Sequence, residues 1–94
     1  MFIADVVWLP EIVEKVAIKH RVGPDEVEEI FFNKPKYRFL ESGFRVGEDV
    51  YTASGQSDSG RHLIVFFIHK RDNRALIISA RDMDASERKR YERK

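Results

Sequence analysis

The sequence offers few groups for acid–base chemistry. Its histidines are His20, His62 and His69, and there is no clustered pair of acids, no His-Glu-x-x-His and no glycine-rich phosphate loop. Cysteine is absent, which excludes a disulfide framework and a thiolate metal site. The expectation is a chain that uses neither metal nor cofactor. Cations are better supplied, because residues 61 to 94 carry 10 Lys/Arg against 5 Asp/Glu, whereas residues 1 to 60 carry 7 against 11. The net charge of +1 therefore conceals a basic C-terminal third. Such a stretch suits a polyanion site, where Lys and Arg pair with phosphates and release counterions, or else a solvated terminal helix.

These groups must be positioned by a small core. Ninety-four residues suffice for one domain, residues 1–94, and a hydrophobic share of 43% with 12% aromatics excludes disorder for its body. No run nears the roughly 20 apolar residues that cross a bilayer, and Met1-Phe2-Ile3-Ala4-Asp5 lacks a signal-peptide pattern, so a cytoplasmic protein is expected. Phe2 to Leu9 reads as a first strand. Pro10 then opens a helix to residue 21, with Ile12, Val13, Val16, Ala17 and His20 on its apolar face. Gly23-Pro24 starts a second helix with the stripe Val27, Ile30 and Phe31, making a helical hairpin. Tyr37 to Leu40 reads as a short strand. From Asp49 the period is two, giving strands at 50–56, 62–70 and 75–81 in an antiparallel meander, the last two joined by a two-residue turn at Asp72-Asn73. Asp84 with Glu87 forms an acidic capping box for a final helix over 85–94. The fold class is α+β: a meander packed on an N-terminal helical hairpin, with a C-terminal helix.

Register decides which groups can meet. A two-residue turn at Asp72-Asn73 puts Arg81 opposite Ile64, on the face shared with His62, and turns Arg61 to the other face unless its strand bends; a one-residue slip reverses this, so the register fixes the end of the sheet rather than the face. His69 then lies roughly 20 Å or more from Arg61 at about 3.4 Å per residue, too far to share a phosphate. The best cluster is the sheet end that holds Arg61, His62 and Arg81, with Glu87, Arg88 and Tyr91 of the last helix folding back over it.

Several landmarks in order resemble the BrnT family of toxins. They are Trp8 followed by an amphipathic helix ending in Lys19-His20, the cluster Ile30-Phe31-Phe32-Asn33, Gly60-Arg61 entering an apolar strand, and Ile77-Ile78-Ser79-Ala80-Arg81 followed by Glu87-Arg88 and Tyr91. The chain departs from that pattern at Leu9-Pro10, where the family usually has an acid, and at Arg21, where it usually has glycine. Lys34 to Gly47 is also longer than expected. The resemblance implies a RelE-like fold, metal-independent endoribonuclease activity, and a BrnA-type antitoxin bound in a heterotetramer that reaches operator DNA through the antitoxin.

Metal-free cleavage of RNA needs a base for the 2′-hydroxyl, an acid for the leaving oxygen and cations for the charge on phosphorus. On this reading Arg61 and Arg81 clamp the phosphate, Arg88 and Tyr91 contact the RNA, and His62 or His20 transfers the proton. Structural roles compete: His20 as a helix-end residue favoured by the dipole, Arg81 in a salt bridge to Asp82, Asp84 or Glu87, and Tyr91 as a packing residue for the last helix. The rival function is a non-catalytic module binding RNA or protein through the same face. The antitoxin is expected on the sheet face opposite the helices.

Overall fold

Pro10 and Pro24 each occupy the first turn of a helix, where a missing N–H has no partner to lose. In the computed structural model, which describes residues 1–93, the helices are α1 (Pro10–His20) and α2 (Pro24–Phe32). Residues 21–23 connect them. Arg21 caps α1 in the left-handed conformation, φ 55°, at the position where a glycine would carry no Cβ penalty. Its N–H still closes the last turn on the Ala17 carbonyl, and Val22 beside it is buried. Glu26 returns its carboxylate to the Gly23 N–H at 3.3 Å, fixing the start of α2.

The strands are β1 (Asp5–Val7), β2 (Lys36–Glu41), β3 (Asp49–Gln56), β4 (His62–His69) and β5 (Arg74–Asp82), and the sheet order is β1-β5-β4-β3-β2. β2 to β5 form the expected antiparallel meander. β1 is shorter than the apolar run from Phe2 to Leu9 and pairs parallel to β5, so the sheet is mixed. One face carries Ala53, Leu63, Val65, Phe67, Ala75 and Ile77, all buried against Val16, Val27 and Ile30 of the helices. Phe31, Tyr37, Tyr51 and Phe67 add edge-to-face and stacked rings at 5.2–6.4 Å. Within α1 the buried side narrows to Val16, with Ile12 and Val13 half-buried and Ala17 exposed.

The turn between β4 and β5 differs from the expected two-residue form. Asn73 donates to the Lys70 carbonyl at 3.0 Å and sits at φ 66°, so three residues, Arg71 to Asn73, make the connection. That shifts the ladder by one, to His69↔Ala75 and Phe67↔Ile77. A bulge then inserts Ile78, and from Phe66↔Ser79 onward the pairing returns to Ile64↔Arg81. The expected partner of Arg81 is thus reached through two departures that cancel.

The closing helix is α3 (Ala85–Glu92), shorter than the 85–94 expected; Lys94 lies outside the described residues. Its capping box forms as the sequence indicates, with Glu87 N–H donating to Asp84 at 2.7 Å and Asp84 N–H to Glu87 at 2.9 Å. None of its residues is buried, and it lies on the face of the sheet opposite α1 and α2. No helix among the described residues is long and apolar enough to cross a membrane.

Candidate functional site

Arg61 precedes β4 and shares the parity of Leu63, so it points to the helix face. An arginine has five N–H donors. Here they meet both carboxylate oxygens of Asp82 at 2.7 and 3.0 Å, Glu26 at 3.2 Å, and the carbonyls of Arg21 at 2.7 Å and His20 at 3.1 Å. The hydrogen bond from Arg61 holds the Asp82 carboxyl below the usual carboxylate range, and Asp82 in turn raises the Arg61 guanidinium. No donor is left over for a phosphate. The residue joins the end of α1, the start of α2 and the end of β5, and His20 enters this joint through its carbonyl.

The opposite face holds His62, Arg81, Glu87 and Tyr91. Arg81 grips Glu87 with both terminal nitrogens, at 2.7 and 2.9 Å, and lies 5.4 Å over the Phe66 ring. This hydrogen bonding keeps the Glu87 carboxyl below its ordinary range. His62 meets the Tyr91 ring edge-on at 5.8 Å. The Lys36 ammonium sits 5.1 Å over the same ring and donates to the carbonyls of Tyr91 and, at 2.7 Å, Arg93. Three polar attachments from β2, β4 and β5 therefore hold α3 on the sheet.

Beneath α3 runs a cleft of about 220 Å³ whose lining includes Lys36, Arg38, Ser54, Glu87, Arg90, Tyr91 and the buried Thr52, with the Glu87 carboxylate already bound to Arg81. Among the described residues no carboxylate lies within ion-pair distance of Arg38 or Arg90. These are the guanidiniums left for an anion, and the reading of the sequence passed over them. Their signal was the alternation Lys36-Tyr37-Arg38-Phe39, which places two cations on one face of a strand and two aromatics on the other.

The residues singled out from sequence are thus divided. His62, Arg81, Glu87 and Tyr91 come together. Arg61 and His20 lie across the sheet, and Arg88 pairs with Glu92 at 2.9 Å on the exposed side of α3. His69 stands at the far end of β4, 3.3 Å from Asn73. Among the described residues no three His, Asp or Glu side chains gather as metal ligands would. The cleft combines two guanidiniums outside any ion pair among the described residues and an ammonium with the Tyr91 ring, against whose edge His62 stands, an arrangement able to bind a phosphodiester and move a proton beside it.

Comparison with known proteins meets this geometry. Among curated proteins none matches the chain. A crystal structure of the Brucella abortus ribonuclease toxin BrnT superposes with a TM-score of 0.64 at 17% identity, covering 85% of this chain and 96% of that one, a likeness of fold. Residues 8–87 match the model of a family described as the ribonuclease toxin BrnT of type II toxin–antitoxin systems. That match takes in both helices of the hairpin, the sheet from β2 to β5 and the first turn of α3, so the chain belongs to the BrnT family of ribonuclease toxins.

Proposed function

We propose that the cleft between α3 and the open face of the sheet is where this toxin cleaves RNA, without a metal ion, and that residues 1–94 act as one domain. The observation that carries the reading is the pair Arg38 and Arg90, both unpaired among the described residues and both lining one cleft beside Tyr91. Guanidinium groups there would hold the phosphodiester and take up the charge that grows on its oxygens in the transition state. The 2′-oxygen attacks phosphorus and the 5′-oxygen leaves, giving a 2′,3′-cyclic phosphate. His62 accepts the 2′-hydroxyl proton directly or through water, and Tyr91, held edge-on to it, supplies a proton to the 5′-oxygen. Arg81 acts as a positioning residue, because its carboxylate partner Glu87 belongs to the helix that carries Arg90 and Tyr91. The partner is a BrnA-type antitoxin in a heterotetramer, which contacts operator DNA on the toxin's behalf.

The test is cleavage of a structured RNA by purified protein in excess chelator. Arg38→Ala and Arg90→Ala should each slow cleavage roughly 10- to 100-fold, the worth of a charge-assisted hydrogen bond. His62→Ala should cost about 100-fold or more. Products should carry cyclic phosphate ends. RNA binding without cutting would identify a non-catalytic module instead, and activity that vanishes with chelator and returns with a divalent metal would overturn the metal-free route.

A further inference from the structure

Exposed apolar side chains stand on the helix side of the molecule at Phe32 and Ile18, and a second set lies at the β2–β3 connection. Phe44 is 108% exposed and Val46 80%, with Leu40 at 51% on the bulge that ends β2. Phe44 borders a hollow of about 560 Å³ that also takes in Val50, Ile68 and, at its margin, Glu41 and Glu48. Glu48 is partly neutralised by Lys70 at 3.6 Å.

This hollow lies on the same face of the sheet as the cleft. Val50, Thr52 and Ser54 alternate onto the open face and pair with Ile68, Phe66 and Ile64. Two residues along β3 therefore separate Val50 in the hollow from Thr52 in the cleft, about 7 Å at 3.4 Å per residue. The result is one trough, apolar at the hairpin end and cationic at the α3 end. α3 is attached at Lys36, His62 and Arg81 and leaves the hairpin end uncovered.

We propose that this trough is the docking surface for the antitoxin, which seats apolar side chains against Phe44, Val50 and Ile68 and sets a carboxylate farther along the same face on Arg38 and Arg90. Two features select that occupant. Membership of a toxin–antitoxin family gives the chain such a partner. Arg38 and Arg90, which make no ion pair among the described residues, match an acidic complement, and the apolar hollow beside them matches a hydrophobic anchor. The second contact rests on the reading of the cleft as the RNA site, since a carboxylate there displaces the phosphate. The first contact stands without it.

The experiment uses the full chain and the purified product of the reading frame adjacent to its gene, with affinity measured by calorimetry and RNA cleavage measured on the free toxin. Phe44→Asp should weaken antitoxin binding about tenfold or more while cleavage stays within about twofold, because the ring touches neither core nor cleft. Arg38→Ala combined with Arg90→Ala should weaken both. Unchanged antitoxin affinity in the Phe44 variant sinks the docking surface, even if the cleft cuts RNA. Intact cleavage in the double arginine variant with weakened antitoxin binding sinks the RNA reading and leaves the surface standing. A dimer of the free toxin that Phe44→Asp dissolves would assign the trough to a second copy and overturn the proposal.

Discussion

Arg61 and Arg81 begin strand and end strand at the same margin of the sheet, yet their surroundings differ in kind. Arg61 is enclosed by acceptors from three elements, and removing it strands Asp82, Glu26 and two helix-end carbonyls together. Arg61→Ala should therefore cost roughly 2–3 kcal/mol of stability, and Arg61→Lys should recover less than half of that, since an ammonium has three donors and no planar fork. Urea denaturation measures both. Cleavage per folded molecule should be unaffected; a large loss of activity in a folded Arg61→Lys protein would return this residue to the role of phosphate clamp. Parity along β4 turns Arg61 away from Arg81, but a one-residue slip reverses that assignment, so the sequence located the two arginines only at one end of the sheet and grouped them there. What was not legible is which carboxylate each arginine meets, because Asp82, Asp84 and Glu87 all stand within reach of Arg81 along the chain and only the fold of α3 selects Glu87.

At the scale of elements, α3 is the least anchored part of the molecule. It buries no side chain, so its docking depends on Arg81–Glu87, on Lys36 at its C-terminal carbonyls and on the Tyr91–His62 contact. Glu87 is held below its ordinary value of 4.5 chiefly by the hydrogen bond from Arg81, so the ion pair contributes fully above that value and is lost as pH falls through the lowered one. Protection of the amides of residues 85–92, taken relative to their intrinsic exchange rate at each pH, should accordingly be higher at pH 7 and fall in acid before that of the core amides. In Glu87→Gln that fall should be absent and protection at pH 7 lower by about fivefold, the equivalent of about 1 kcal/mol for a partly exposed bidentate pair. If α3 and the core lost protection together, the helix would be part of one cooperative unit. α1, α2 and the three long strands were legible because their periodicities are strong, and α3 was legible through its capping box alone. The β4–β5 register came out correctly for an incomplete reason: Asp72-Asn73 signals a turn but not its length, and nothing in Ile77-Ile78 marks the bulge that restores the pairing. β1 was legible as a strand, and its parallel seat on β5 was not, since an apolar run carries no direction.

Over the whole molecule, charge is sorted by the sheet rather than by the chain. α1, α2 and their connection carry Glu11, Glu14, Asp25, Glu26, Glu28 and Glu29 against Lys15, Lys19 and Arg21, on one side, while Lys36, Arg38, Arg81 and Arg90 lie on the other with Glu87. Dividing the sequence at residue 60 located only half of this, because β2 belongs to the acidic portion yet brings Lys36 and Arg38 under a helix from the basic one. A polyanion is therefore steered to the open face, with the helix side repelling it. The consequence is a salt dependence of known form. If Lys36, Arg38 and Arg90 contact phosphates of single-stranded RNA, each contributes about −0.7 to the slope of log K against log salt, for a total near −2. Arg38→Ala should lower the magnitude to about 1.4, and Arg61→Ala should leave it unchanged, as its charge is already neutralised by Asp82 and Glu26. Filter-binding titrations between about 50 and 200 mM salt resolve the difference. A slope that responds to Arg61 and ignores Arg38 would move the RNA to the helix side of the sheet, where the carboxylates of α1 and α2 would have to be displaced to admit it.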